Sequence, residues 1–295
     1  MVILGPTAAG KSQLALALAE RLGGEIVSAD AMQVYEGMDI GTDKPTWEER
    51  RRVAHHLIDV SPPDVRFNVV HFQRLATDVI ARIRARGHRP LVVGGSGLYL
   101  RALLEGYEFP GGPPSPKRAS IEAGIREDPA FRARLLEKSP RARSIPPRDV
   151  VRQVRAYESL GRSERAGAGE RLEVSCVIGL TRPRRELYAR IDERARRQVE
   201  RGIFEEVRRL WDQGYRGGAL DGLVYREAAW HLEGRITREE YVRLVARNTR
   251  RLAKRQLTWF RRERDVTWLD AGDAGLVERA LALVAAGDER GASNP

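Results

Sequence analysis

Gly5-Pro6-Thr7-Ala8-Ala9-Gly10-Lys11-Ser12 decides the fold, with Val2-Ile3-Leu4 before it and the helix-forming run Lys11–Leu22 after it. The stretch satisfies G-x-x-x-x-G-K-[ST] at every defined position, in the strand, loop and helix setting that the motif requires. Its glycines let the loop wrap closely, so that backbone N–H groups and the helix N-terminus point at phosphate oxygens. Lys11 supplies a point charge, and the Ser12 hydroxyl is placed to hold Mg²⁺. Gly5, Pro6, Thr7, Ala8, Ala9, Gly10, Lys11 and Ser12 are thus the candidate diphosphate or nucleotide site. The loop accepts a diphosphate whatever is attached to it, ATP included, and does not specify the reaction.

Working outward, short apolar runs alternate with helical segments, the pattern of a parallel α/β sheet. Strands are expected at Glu25–Ser28, His56–Val60 and Pro90–Val93, and helices at Phe72–Arg86 and Gly97–Leu104. Pro110-Gly111-Gly112-Pro113-Pro114-Ser115-Pro116 reads as a linker, because neither residue type supports an element interior. Residues 117–160 read as helical, broken at Ile145-Pro146-Pro147, and a charged stretch, Gly161–Arg171, precedes a strand at Glu173–Leu180. Helices then run to about Arg264, and Val266–Leu269 is a last short strand. The expected architecture is a P-loop NTPase-like parallel sheet core flanked by helices, residues 1–112 and 173–295, interrupted by a helical insertion domain at 113–172.

The charge is unevenly placed. The chain of 295 residues carries a net charge of +11, with 52 basic and 41 acidic side chains. Residues 1–110 hold 13 of each sign, so the excess lies wholly beyond them. It concentrates in 141–165 and 237–264, which points to a polyanionic partner met by the C-terminal part. On a helix near 241–262, Arg243, Arg247, Arg250, Arg251, Lys254, Arg255, Arg261 and Arg262 fill one arc of roughly 160–300° around the axis, counted from Leu252. Tyr241, Val245, Ala253, Leu257, Trp259 and Phe260 fill the other, so one face is core and one can follow a phosphate backbone. The single Cys176 excludes an intramolecular disulfide framework and a multi-cysteine zinc site. No run is long enough to cross a bilayer. A cytoplasmic, monomeric protein without a membrane partner is expected.

The apolar strand Leu91-Val92-Val93 runs not into an acid but into Gly94-Gly95-Ser96-Gly97, a second close approach of backbone to ligand. The acid nearest the phosphates is then Asp30, placed after the second strand, where ligands of parallel sheets bind. Together with "DAMQVYEGMDIGTDKP" (Asp30–Pro45), "HHLIDV" (His55–Val60), "VGGSGLY" (Val93–Tyr99), "IPPRDVVRQVRAYE" (Ile145–Glu158), "GLTRPRRELYARI" (Gly179–Ile191) and "NTRRLAKRQLTWFR" (Asn248–Arg261), the chain resembles the tRNA dimethylallyltransferase (tRNA isopentenyltransferase) family over nearly its whole length.

The resemblance implies transfer of a dimethylallyl group from dimethylallyl diphosphate to N6 of adenosine 37, next to the tRNA anticodon, with release of pyrophosphate. It implies Asp30 as the base, Lys11, Thr7 and Arg185 on the diphosphate, Mg²⁺ at Ser12, and Ser96 beside donor or adenine. For the anticodon stem-loop it implies contacts from Asp30, Ala31, Met32 and Gln33, and from Val151, Arg152, Gln153, Val154 and Arg155. Tyr225 and Arg226 follow, then Lys254, Arg255 and Gln256, and the basic arc of the same helix adds Arg247 and Arg251. The chain departs from the family pattern at Ala31, commonly Ser, and at Val224, commonly Gly; its first strand is also short, which reads as a shortened start. The rival reading is a P-loop kinase of a nucleotide or small metabolite, opposed by the absent acid after Val93 and by the basic C-terminal face.

Overall fold

In a computed structural model of the chain, residues 1–107, 109, 118–158, 171–263 and 265–292 are described. The expected linker Pro110–Pro116 and the charged stretch from Gly161 up to residue 170 lie outside them. In chain order the strands are β1 (Val2–Leu4), β2 (Gly24–Ala29), β3 (His55–His56), β4 (Arg89–Gly94), β5 (Val177–Thr181) and β6 (Val266–Asp270). The helices are α1 (Lys11–Leu22), α2 (Trp47–Arg52), α3 (Val69–Ala85), α4 (Gly97–Leu104), α5 (Arg118–Glu127), α6 (Pro129–Lys138), α7 (Pro140–Arg143) and α8 (Val150–Glu158). They continue with α9 (Arg184–Glu200), α10 (Ile203–Asp212), α11 (Tyr225–Leu232), α12 (Arg238–Phe260) and α13 (Leu276–Ala292).

The strands form one parallel sheet in the order β3-β2-β4-β1-β5-β6. Both faces are covered, so the strands are apolar without alternation. Ile3, Ile26, Leu91, Val93, Ile178 and Leu180 pack on one side, with Leu14 and Leu18 of α1. Val2, Leu4, Val27 and Val92 pack on the other, with Phe72, Val79 and Ile83 of α3. A third cluster joins α9 to α12 with Val34, Tyr35 and Met38 of the loop after β2.

The described chain parts into two compact units, Met1–Leu104 with Leu172–Pro295, and Glu105–Arg171. The second therefore begins at Glu105, where α4 ends, rather than at 113. It has its own core of Ile125, Leu135, Ala142, Val154 and Ala156. Its helical run is divided more finely than expected, because Asp128 and Ser139 each cap a new helix with proline at the first position.

Two further expectations change. "HHLIDV" pairs only through His55 and His56, since Leu57 (φ 60°) and Asp59 (φ 54°) leave the extended region. The strand expected from Glu173 starts at Val177, and α13 follows β6. Edge strand β3 is pinned where Glu25 accepts hydrogen bonds from His56 (2.6 Å), His88 (2.6 Å) and Arg86 (2.9 Å). Burial opposes the charge on Glu25, yet these bonds outweigh it and hold the carboxyl down to about 2.

Candidate active site

The C-terminal ends of β1, β2 and β4 open on one cavity of about 370 Å³. Thr7, Ala8, Gly10, Lys11 and Ser12 form its floor after β1. Gly10, at φ 106°, turns the loop into α1 in a conformation that a side chain would strain. Gly5, Pro6 and Ala9 are buried behind the loop. The Lys11 ammonium donates to the Pro6 carbonyl at 2.8 Å. Burial pushes its pKa from 10.5 down to about 8, with Arg194 adding to the fall and Asp30 opposing it. Asp30 lines the same cavity from the end of β2, its Oδ1 held by the Met32 N–H at 2.8 Å.

The cationic wall comes from α9. Arg190, Arg194, Arg197 and Arg201 line the cavity along one helix face, at spacings of four, three and four residues. Arg190 Nε donates to the Ala8 carbonyl (2.9 Å), Arg194 to Thr7 Oγ1 (3.2 Å), and Arg182 Nε to the Ala9 carbonyl (3.2 Å). Burial lowers the pKa of Arg190 and nearby Arg182 and Arg197 lower it further, the mark of a site crowded with positive charge. The expected Arg185 is not among these groups. It is exposed on the first turn of α9 and lies outside the cavity, because five residues from Arg190 carry it about 140° around the helix. The composition hid this, since Arg182, Arg184 and Arg185 crowd one segment; the 190-194-197-201 periodicity was the signal that separates them.

A second wall, adjoining the first, is the loop from Asp39 to Thr46. Glu206, buried on α10, accepts from the backbone N–H groups of Asp39 (3.1 Å), Ile40 (2.8 Å) and Gly41 (3.3 Å) and from the Tyr225 hydroxyl (2.7 Å). Lys44 in this wall is neutralised by Asp39 (2.7 Å) and Asp59 (2.5 Å), while Asp43 pairs with Arg194 and Arg201, each at 3.4 Å. Gln33 ties the wall to β2, accepting from the Ser28 hydroxyl (2.9 Å) and donating to the Asp43 carbonyl (3.3 Å). Ala31 and Met32 are half-buried beside Asp30, and the Ala31 N–H donates to Ser96 Oγ at 3.0 Å. The Ser96 hydroxyl is thereby fixed between the ends of β2 and β4, one residue past cavity-lining Gly95.

The residues expected to meet RNA divide by exposure. On α12, Arg247, Arg251, Lys254 and Arg255 are exposed. Arg250 leaves their row to pair with Asp192 of α9 at 2.5 Å. Gln256 lies against the cavity, with the Thr7 N–H donating to its Oε1 (2.8 Å) and its Nε2 donating to the Gly95 carbonyl (3.0 Å). On α8, Arg152 and Arg155 are exposed and Val151 half-buried, but Gln153 and Val154 belong to the core of the second unit and have no surface for RNA. Tyr225 is likewise fully buried against Glu206, while Arg226 is half-exposed and pairs with Glu227 at 2.8 Å. Val224 is buried with φ at +81°, where glycine is the relaxed residue.

A parallel sheet with a P-loop after β1, and a cavity walled by arginines and lined by Asp30, Asp43 and Glu49, has the framework of an α/β P-loop protein. The chain belongs to the IPP transferase family, whose model matches residues 33–263. It is 45% identical to a tRNA dimethylallyltransferase of Thermomicrobium roseum over 95% of this chain and 88% of the relative. The full-length tRNA isopentenylpyrophosphate transferase of Bacillus halodurans superposes with a TM-score of 0.72 at 37% identity, covering 98% of this chain and 97% of that one. A eukaryotic dimethylallyltransferase, solved acting on tRNA, gives a TM-score of 0.80 at 25% identity over 95% and 77%.

Proposed function

We propose that the protein transfers the dimethylallyl group of dimethylallyl diphosphate to N6 of adenosine 37, beside the tRNA anticodon, and releases pyrophosphate. The observation that carries this reading is that the Asp30 carboxylate lines the same cavity as Lys11 and the P-loop. In the transfer the C1–O bond of the donor breaks, a C1–N6 bond forms, and N6 loses a proton. Asp30 would take that proton from a flipped adenine, and proton transfer to it as the C–N bond forms overcomes the weak nucleophilicity of the amine. Charge building on the departing pyrophosphate is met by the loop N–H groups, Lys11, Arg190 and Arg194. Thr7, held by Arg194, lines the diphosphate end.

The cavity also suits Mg²⁺. The Ser12 hydroxyl lies exposed in it, and a hard cation takes oxygen ligands. Among the described residues no three acidic, histidine or cysteine side chains converge, so Ser12 would share the ion with diphosphate oxygens and water. The ion would supply neutralisation of the leaving group. For the anticodon stem-loop, the exposed row Arg247, Arg251, Lys254 and Arg255, with Arg226 and with Arg152 and Arg155 of the second unit, offers phosphate contacts. The protein would act as a monomer where tRNA is found, in the cytoplasm. Among the described residues no helix is long and apolar enough to cross a membrane.

The test is incubation with dimethylallyl diphosphate labelled in the allyl group, Mg²⁺ and unmodified tRNA. Label is expected in the RNA at that adenosine. Label absent from RNA, or ATP consumed with ADP formed, would sink the assignment.

A further inference from the structure

One side chain joins the helix that bears the cationic row to both glycine-rich loops of the cavity. Gln256 accepts from the Thr7 N–H of the P-loop at 2.8 Å and donates to the Gly95 carbonyl, after β4, at 3.0 Å. Both halves of the amide are engaged, each with a partner that fixes its orientation. Gly95 makes the approach possible, because a Cβ there would lie 2.5 Å from Gln256 Nε2. Lys254 and Arg255 precede Gln256 directly, and Arg251 lies one turn before. The helix is anchored on either side of this point, by Arg250 on Asp192 and by Trp259 against Gly97.

We propose that Gln256 is a positioning residue, not an RNA contact, and that its amide couples occupancy of the cationic face of α12 to the diphosphate site. The inference rests on the tRNA reading above. RNA phosphates on Arg251, Lys254 and Arg255 fix the last turns of α12, and Gln256 then holds Thr7 and Gly95 in the geometry that receives the diphosphate. By linkage, each ligand raises the affinity for the other by the same factor.

The experiment measures binding of inorganic pyrophosphate with Mg²⁺ to the full chain, with and without saturating unmodified tRNA anticodon stem-loop. Wild type is expected to bind pyrophosphate at least about fivefold tighter in the presence of RNA, the lower end of typical couplings. Gln256→Ala is expected to bring that ratio close to one while stem-loop affinity changes by less than about threefold. Gly95→Ala, which keeps Gln256 but displaces its amide, should do the same. Gln256→Glu, which still accepts from Thr7 but cannot donate to Gly95, should recover at most part of it. A wild-type ratio of one overturns the coupling without need of any variant. A Gln256→Ala chain that keeps the full ratio, or that loses stem-loop affinity with the ratio unchanged, overturns the role of Gln256. Failure of wild type to bind the stem-loop at all would instead overturn the tRNA reading.

Discussion

Asp30 and Lys11 carry opposite charges into one cavity, and their loss should leave different kinetic signatures. Asp30→Asn keeps the shape and the Met32 hydrogen bond but removes the proton acceptor. Turnover is expected to fall by a factor of about 10² to 10⁴, with tRNA affinity within about threefold, as single-turnover and filter-binding assays would read. Lys11 predicts a pH dependence. Its folded pKa, about 8, lies below the ordinary 10.5. The ammonium is therefore charged below about pH 8 and neutral above it, so the KM for dimethylallyl diphosphate should hold steady to that pH and then rise, and Lys11→Gln should abolish the rise. Folding linkage has the matching sign. Between about 8 and 10.5 the unfolded chain binds the extra proton, so Lys11 costs stability at neutral pH and the cost fades as pH climbs through that window. Lys11 and Asp30 were legible in the sequence because each follows a strand that ends at the site. Arg190 and Arg194 were not, because in a chain with 47 arginines residue type carries no information and only helical phase does.

At the scale of the element, α12 separates its functions by face. Its apolar arc packs Tyr241, Val245, Ala253 and Phe260 into the core, while Arg247 and Arg251 stand exposed on the other side. Replacing both with Ala should weaken tRNA binding and reduce the slope of log affinity against log salt by about 1.4 to 1.8, the share of two phosphate contacts. An unaltered slope, measured by titration across salt concentrations, would remove this face from the interface. The division of faces was readable from 100° periodicity alone. Periodicity could not tell that Arg250, at the border of the arcs, serves Asp192, nor which groups Gln256 meets on the apolar side, since their partners lie 58 and 249 residues away. The same limit explains β3: "HHLIDV" looks like a strand, and nothing local announces the positive φ of Leu57 and Asp59. On α8 the resemblance spoke for five consecutive residues where a helix presents only some of them outward.

At the scale of the whole molecule, the chain leaves and re-enters the sheet-bearing unit through neighbours. The Leu172 N–H donates to the Leu103 carbonyl at 3.0 Å, and the sheet and three hydrophobic clusters lie in the unit outside residues 105–171. Replacing 105–171 by a short Gly/Ser bridge is therefore expected to leave a chain that melts cooperatively and is stabilised by pyrophosphate with Mg²⁺, by about 2.7 kcal/mol at a hundredfold excess over Kd. Its tRNA affinity should fall; calorimetry and binding would read the two outcomes separately. The sheet order has a different consequence, in time rather than space. β1 lies between β4 and β5, whose matching residues Val92 and Val177 are about 90 and 175 positions downstream. At about 5–20 residues per second of synthesis, the strand that carries the phosphate loop waits roughly ten to thirty seconds with one edge unpaired. In that interval the helices of residues 118–158, built from local contacts, have left the ribosome and can fold. The oldest part of the nascent chain is thus among the last to be completed, and the phosphate site forms only when the segment that delivers the α9 arginines has been made.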